Sequence, residues 1–396
     1  MTQPTTATQS NAAIPSLYIA LDLGRSSWQV SLTDGGQKTR DVAVDRSDIR
    51  AGKAALLTEI AKARAAFRLP PEAPLHAVYE AGRDGFWLAR WLQSQGVQCL
   101  VIDPSSILVD RRAKHRKTDA IDARALVALL IRHHRGEKAF RLVAVPDVED
   151  QDARELGRGL ERLQRTRRRW AVTVQSMLFA HGIDRGYDKR LRQDLSELRT
   201  GDDRPLGASL RHQIELLCEQ IGRLDTDIAA CELERDQRIA KPKAELDKRA
   251  NHLAKLNGIG PVCAWTMAAE LGWRTFDNAK QVGAFLGLAP TPWASGSVDR
   301  EQGISKAGSD RLRALMIQIG WSWLRYQPES ALTKWFQERF GEAGKRSRRV
   351  GIVAVARKLA VALWRYHTDG VIPEGALLKD KPFPIPRRRP CAEAVG

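Results

Sequence analysis

Short apolar runs alternate with helical patterns along the first third of the chain. Five runs have the length and the turn boundaries of β-strands, and they lie at residues 17–23, 28–32, 40–44, 75–79 and 97–102. Three stretches carry apolar side chains at helical spacing instead, and they begin near Ser47, Phe86 and Asp119. This order predicts an α/β domain with a mixed sheet that is covered by helices.

The middle of the chain has a different period. Residues 150–180 and 210–228 place apolar side chains at alternating steps of three and four residues, which is typical of a coiled-coil seam. Arg167 is the one seam position of the first stretch that is not apolar. We predict a long antiparallel hairpin or a helix pair that meets another subunit. The arginines of the first stretch form either a solvated face or a nucleic-acid contact, and the pattern leaves both open.

The chain from residue 251 onward is predicted to be mainly helical. Two helical stretches flank Gly258-Ile259-Gly260, as in a helix-hairpin-helix, whose turn amides bind backbone phosphate without reading sequence. The same glycines also suit a plain helix corner. A loop region that contains Ser295 follows, and then helices at residues 310–326 and 350–366.

These patterns divide the chain into five segments. They are a disordered tail (1–15), an α/β domain (16–145), a helical coiled-coil linker or oligomerisation segment (146–250), a mainly α C-terminal domain with the helix-hairpin-helix (251–375) and a basic flexible tail (376–396).

Composition indicates the kind of partner. The 396 residues carry a formal net charge of +17, which favours nucleic acid as a partner over a merely solubilising charge. The five cysteines lack the C-x-x-C spacing of zinc sites, and no signal peptide or membrane-spanning run is visible. We therefore expect a soluble intracellular protein.

Four carboxylates stand where a metal site is expected. Asp119 and Asp122 are three residues apart at the start of a helical run, and such residues are neighbours on one helix face. Asp22 and Glu80 lie at the ends of two predicted strands, and the sites of open α/β sheets gather at strand carboxyl ends. Their oxygens suit Mg²⁺. Taken singly, each residue is more often a cap or a turn residue.

The candidate metal site is preceded by a basic run, and a second candidate site follows later in the chain. The run consists of Arg111, Arg112, Lys114, Arg116 and Lys117, and it suits the binding of phosphate beside a metal. Near Lys306, Arg311 and Arg313, Ser295 stands between glycine-containing stretches and could attack a phosphate. By itself such a serine is far more often an ordinary loop residue.

The combined motifs resemble the DEDD transposases of the insertion sequence 110 family. The matching pieces occur in family order between about residues 17 and 370, and Lys117-Thr-Asp-Ala-Ile-Asp-Ala123 is the most specific. The others are Ala20-Leu-Asp-Leu23, Tyr79-Glu-Ala-Gly82, the Gly-Ile-Gly corner, Gly287-Leu-Ala-Pro290, Ala294-Ser-Gly296 and Ile304-Ser-Lys-Ala-Gly308.

The resemblance implies a domain like the nuclease RuvC, with a ribonuclease-H-type sheet, in which Asp22, Glu80, Asp119 and Asp122 hold Mg²⁺ or Mn²⁺. It also implies that Ser295 becomes covalently joined to a DNA phosphate. The implied partners are donor and target double-stranded DNA, a structured non-coding bridge RNA and further copies of the chain in a dimer or tetramer. The implied location is the bacterial cytoplasm, in association with the nucleoid.

Three other functions remain as alternatives. A RuvC-like nuclease would activate water with the carboxylates and leave Ser295 structural. A sugar or acetate kinase is suggested by Asp22-Leu-Gly-Arg-Ser-Ser27, but a second glycine-rich phosphate motif is missing and the charge is unexplained. A non-catalytic nucleic-acid scaffold would leave the four carboxylates without a purpose.

Overall fold

A computed structural model describes residues 15–82, 85–107, 119–295 and 298–380, without the side chains of residues 105, 119–120 and 292–302. The chain divides into two compact units, one through Pro146 and one from Asp147 onward. Several predictions concern residues outside this description. They are the N-terminal tail up to residue 14, the tail beyond residue 380 and the basic residues Arg111, Arg112, Lys114, Arg116 and Lys117.

The first unit is built on a five-stranded mixed sheet. Its elements are β1 (Leu17–Leu23), β2 (Ser27–Thr33), β3 (Arg40–Asp45), α1 (Ile49–Ala66), β4 (Leu75–Glu80), α2 (Trp87–Ser94), β5 (Val97–Ile102) and α3 (Asp119–His134). The strand order is β3-β2-β1-β4-β5. β1, β2 and β3 pair antiparallel, whereas β1, β4 and β5 pair parallel. The predicted α/β order is therefore confirmed.

The two faces of this sheet bury different side chains. Ile19 and Leu21 of β1 belong to a core that includes residues of α1 and α2. Ala20, between them, belongs to a second core with Leu126 and Leu130 of α3. Because successive strand side chains point to opposite faces, β1 and β4 each have one face toward α3.

The second unit is mostly helical and contains one β-hairpin. Its elements are α4 (Val148–Phe179), α5 (Leu191–Asp194), α6 (Ala208–Ala240), α7 (Glu245–Ala254), α8 (Pro261–Glu270), α9 (Ala279–Phe285), β6 (Pro290–Ser295), β7 (Val298–Ile304), α10 (Asp310–Tyr326), α11 (Ala331–Phe340) and α12 (Lys345–Asp369). Helices α7, α8, α10 and α12 share a core in which Trp265 and Trp323 are fully buried.

The predicted seam helices α4 and α6 pack against each other and run antiparallel. Arg167 of α4 pairs with Asp225 of α6 at 2.9 Å, while Gln164 donates to Glu232 at 3.3 Å, so α6 runs backward along α4. The polar seam position has a local explanation, because the Arg167 guanidinium also lies 5.4 Å over the Tyr187 ring. Asp225 and Tyr187 satisfy this arginine where an apolar side chain would otherwise pack.

Three parts of the second unit differ from the sequence prediction. Ser295 was expected in a loop, but it is the last residue of β6 and pairs with Val298 of β7. The strand signal was hidden by Pro290 and Pro292, which flank an irregularity in the pairing and are tolerated there because the hairpin has only two strands. Helix α11 was not predicted. The tail was expected to start at residue 376, but Leu377 N donates to Gln327 and Lys379 N donates to Lys255 O, so its first residues are bound to the second unit.

Candidate functional site

Asp22 and Glu80 occupy equivalent positions on adjacent parallel strands. Leu21 of β1 pairs with Tyr79 of β4, so the next residue of each strand is a carboxylate. Alternation directs both carboxylates to the face that α3 covers, since Leu21 and Tyr79 belong to the opposite core. Asp22 is half-buried and Glu80 is exposed. The two residues line one cavity of about 390 Å³, together with Arg25.

Helix α3 carries the other two residues of the set, and its N-terminal end lies toward this end of the sheet. At its C-terminal end, the rings of His134 and Tyr18 are 5.4 Å apart, so α3 ends where β1 begins. The N-terminal end of α3 therefore lies toward the end of β1, where Asp22 is found. Asp119 is the first residue of α3, and half-buried Asp122 follows one turn later.

An exposed ion pair also joins α3 to the sheet. The Arg124 guanidinium donates to Asp41 of β3 at 2.6 Å, and this carboxylate also accepts from the Ser31 hydroxyl of β2. The hydrogen bond to Asp41 raises the pKa of Arg124 above its ordinary value. This pair lies two residues after Asp122, and because it is exposed it adds little to the apolar packing that holds α3 on the sheet.

The donor set fits a hard divalent cation. Asp22, Glu80 and Asp122 offer only carboxylate oxygens, which Mg²⁺ and Mn²⁺ prefer over nitrogen or sulfur ligands. Among the described side chains, no group of three or more His, Cys, Asp or Glu residues stands in metal-binding geometry. The side chain of Asp119 is outside that description.

The serine hairpin of the second unit, β6–β7, has a tightly bonded root, which we define as residues 285–289 and 305–309. Ser305 N donates to Ala289 O at 2.8 Å, and Lys306 N donates to Gly287 O at 3.1 Å. Lys306 adopts a φ of 53°, a left-handed conformation that is uncommon for a residue with a side chain. Its side chain is exposed.

The three predicted phosphate-binding cations beside the serine have different surroundings. Exposed Lys306 forms no ion pair with the described residues. Arg313 donates to the Lys306 carbonyl at 3.2 Å and pairs with Asp310. Arg311 pairs with Glu161 and with buried Glu270. Of the three, Lys306 has the side chain that is most available to a ligand.

The Gly258–Gly260 corner joins α7 to α8, and Gly258 has a φ of 81°. Two backbone carbonyls of the corner accept hydrogen bonds from other parts of the second unit. Ser322 of α10 donates to Gly258 O at 2.7 Å, and Lys379 Nζ donates to Ile259 O at 2.8 Å. Burial lowers the pKa of Lys379. Phosphate binding by the corner amides stays a prediction.

Comparison with known proteins identifies the family. A sequence model of the transposase IS116/IS110/IS902 family matches residues 250–334. The chain is similar to the putative transposase y4rJ of Sinorhizobium fredii, with 40% identity over 393 residues that cover 95% of this chain and 98% of that protein. The chain belongs to the IS116/IS110/IS902 transposase family.

Two further relatives agree with this assignment. The probable family 20 transposase of Pseudomonas aeruginosa is 30% identical over 311 residues, which cover 77% of this chain and 86% of that protein. The transposase for insertion sequence element IS1111A of Coxiella burnetii is 26% identical over 280 residues, which cover 69% of this chain and 72% of that protein. Our protein is thus an insertion-sequence transposase, a DNA-processing enzyme.

The residues that match the family model contain the candidate serine site but not the candidate carboxylate site. Residues 250–334 of the transposase include the corner, the serine hairpin, Lys306, Arg311 and Arg313, but none of the four carboxylates. Within the described part of the transposase, no helix is both long enough and apolar enough to cross a bilayer.

The structure of the transposase also adds residues that sequence reasoning did not select. Arg25 lines the carboxylate cavity, and its position three residues after Asp22 was the available signal. Glu161 and Glu270 bind Arg311 from other helices, and Arg158 joins them at Glu270. Nothing in the sequence pairs these residues, because they are separated by 41 to 150 positions.

Proposed function

We propose that this transposase cuts and rejoins DNA with a carboxylate site in its first unit and a serine nucleophile in its second. In the proposed RuvC-like domain, Asp22, Glu80, Asp119 and Asp122 hold Mg²⁺ or Mn²⁺. The observation that carries the proposal is the placement of Asp22 and Glu80 on adjacent strands, on the face that α3 covers, with Asp119 and Asp122 at the near end of α3.

The bound cation would supply positive charge that stabilises a phosphate oxygen during attack. Ser295 then forms a bond from its hydroxyl oxygen to phosphorus, while the phosphorus–oxygen bond to the departing strand breaks. A carboxylate takes the serine proton and returns it to the departing oxygen, so the step is balanced in protons. The phosphoserine retains the energy of the broken ester, so attack by a new strand reseals DNA without ATP.

We also propose that donor and target duplex DNA, a structured bridge RNA and other copies of the chain are the partners. The net charge of +17 supports contact with nucleic acid. Arg165, Arg168 and Arg169 of α4 are exposed and form no ion pair with the described residues, so they could bind phosphate. Exposed Val172 and Phe179 on the same helix support contact with a second subunit.

A hydrolytic nuclease is the second candidate function. All four carboxylates belong to the first compact unit, so a nuclease that activates water would need nothing from the second. The two functions differ in the fate of the cut DNA end.

The deciding experiment separates labelled DNA on a denaturing gel after reaction with wild type, Ser295→Ala and the matched control Ser297→Ala. We expect wild type and Ser297→Ala to form a covalent protein–DNA adduct and Ser295→Ala to form none. Cleavage without any adduct in wild type would favour the hydrolytic nuclease. An adduct that persists in Ser295→Ala would remove Ser295 as the nucleophile.

A further inference from the structure

Three helices of the second unit meet at one buried carboxylate. Glu270, the last residue of α8, is 7% exposed. Arg158 of α4 holds it with two hydrogen bonds, of 2.9 and 3.1 Å, and Arg154 of α4 approaches to 3.1 Å. Arg311 of α10 pairs with the same carboxylate. Burial alone would raise the pKa of Glu270, but the three arginines outweigh it and lower the pKa, so the carboxylate stays charged.

Arg311 connects this carboxylate to a second one. Its Nε lies 2.8 and 2.9 Å from the two oxygens of Glu161 on α4, and its Nη2 lies 2.8 Å from Glu161 Oε1. Its Nη1 donates to Glu270 of α8. All three guanidinium nitrogens of Arg311 are therefore turned toward carboxylates. This arrangement is typical of a fixed crosslink between helices and leaves little of the guanidinium for a DNA phosphate.

The crosslink lies beside the root of the serine hairpin. Arg311 is the second residue of α10, and the root precedes it in the chain. Ser309 N donates to Phe285 O at 3.1 Å, which ties the start of α10 to the end of α9. Gly308 is packed so closely that an added Cβ would lie 2.4 Å from Phe285 O and 2.6 Å from Gly287 N. A shift of the first turn of α10 would therefore displace both sides of the root.

We propose that Arg311 is a positioning residue, which holds the root of the β6–β7 hairpin in place through Glu161 and Glu270. It acts on the candidate nucleophile Ser295 through the backbone and does not contact DNA. The catalytic consequence rests on the proposed function of Ser295, whereas the mechanical role does not. The two can therefore fail separately.

Hydrogen exchange tests the mechanical role directly. In Arg311→Gln, the amides of Ser305, Lys306 and Ser309 should exchange at least about 10-fold faster than in wild type, because the root opens more often. Arg325→Gln is the matched control, since Arg325 is an exposed arginine on the same helix that stacks over Tyr326. It should leave these amides unchanged.

Three outcomes would overturn the mechanical role. They are unchanged root amides in Arg311→Gln, the same change in Arg325→Gln, and a uniform rise in exchange that extends along α12 in both Arg311→Gln and the milder Arg311→Lys. Uniform exchange would mean that Arg311 stabilises the whole unit and not the root.

The rate of adduct formation then tests the catalytic consequence. Displacing a reacting group by about 1 Å can cost about 100-fold, so Arg311→Gln should slow adduct formation strongly, with Arg311→Lys between it and wild type. In a Glu161→Gln background, the same substitution should cost much less, because the crosslink is already weakened. DNA affinity and its salt dependence should not change.

One result would overturn the proposal. If Arg311→Gln binds DNA more weakly and with a smaller salt slope, but forms adduct at an unchanged rate per bound DNA, then Arg311 contacts phosphate. If wild type cuts DNA without an adduct, the proposed function of Ser295 fails, and the exchange rates still decide whether Arg311 holds the root.

Discussion

The two candidate sites are held in place by different kinds of interaction. The carboxylate site of the first unit depends on strand register and on an apolar face of α3, whose Leu126 is buried in the same core as Ala20 of β1. The serine hairpin of the second unit depends on hydrogen bonds at its root and, as we propose, on an arginine that pairs with two carboxylates. A site built on regular periodicity can be predicted from sequence, whereas a site held by ion pairs between distant residues cannot.

The largest effect is expected at the carboxylate site. Asp119→Asn would remove one of the charged ligands that we propose, so cleavage should fall about 100- to 1,000-fold while folding and DNA binding are kept. Asp34→Asn is the matched control, because Asp34 is exposed in the β2–β3 turn and its role there is a hydrogen bond from Gly36 N. The rate of strand cleavage with Mg²⁺ is the measurement. Normal cleavage by Asp119→Asn would exclude Asp119 from the site.

Removing a buried side chain of α3 should destabilise the unit that carries the carboxylate site. Leu130 of α3 is fully buried against the sheet, so Leu130→Ala should lower the free energy of unfolding by about 2–5 kcal/mol. The measurement is urea unfolding of the full chain, followed by tryptophan fluorescence. A loss well below 1 kcal/mol would mean that α3 is not firmly packed, and the carboxylate site would lose its support.

Features that depend on local periodicity were predicted correctly from the sequence, whereas features that depend on contacts between distant residues were not. Strands β1 and β5 and helix α10 were predicted at their observed bounds, because apolar runs and helical spacing are local signals. Asp22 and Glu80 could be paired in advance, since strand ends in a parallel sheet share an edge. The hairpin that carries Ser295 was missed, because prolines obscured its strands. The partners of Arg311 were also missed, since they are 41 and 150 residues away.

At the hairpin root, we expect Lys306 to contribute a single phosphate contact. Lys306→Asn should weaken DNA binding a few-fold and reduce the slope of log affinity against log salt by about 0.9. Asparagine is chosen because it tolerates the positive φ at this position, so the change removes charge with little strain. Lys248→Asn is the control, because Lys248 is exposed and already pairs with Glu245. Equal slopes in both variants would remove Lys306 from the DNA contact.

The smallest expected effect concerns acid sensitivity of the first unit. Burial and the neighbouring His134, whose ring centroid is 4.1 Å away, lower the pKa of His76 below its ordinary 6.5. The unfolded chain then binds the proton more readily, so His76 contributes stability above about pH 6.5 that is lost as pH falls toward the folded pKa.

His76→Phe, which keeps a ring stacked beside Tyr18, should therefore flatten the dependence of the unfolding free energy on pH between 7.5 and 5.5. The wild type should be relatively less stable at the lower pH. An unchanged pH dependence in His76→Phe would assign the acid sensitivity to other groups, of which half-buried His367 in the second unit is one, since partial burial lowers its pKa as well.

The central proposal is that Ser295 is the nucleophile and that its reaction with DNA depends on the carboxylate residues. Mass spectrometry of the digested covalent adduct tests it most directly, with wild type and Asp22→Asn compared under one set of conditions. We expect a nucleotide on the Ser295 peptide in wild type and at least about 100-fold less of it in Asp22→Asn. A nucleotide on another residue, or an equally abundant Ser295 adduct in Asp22→Asn, would contradict the account.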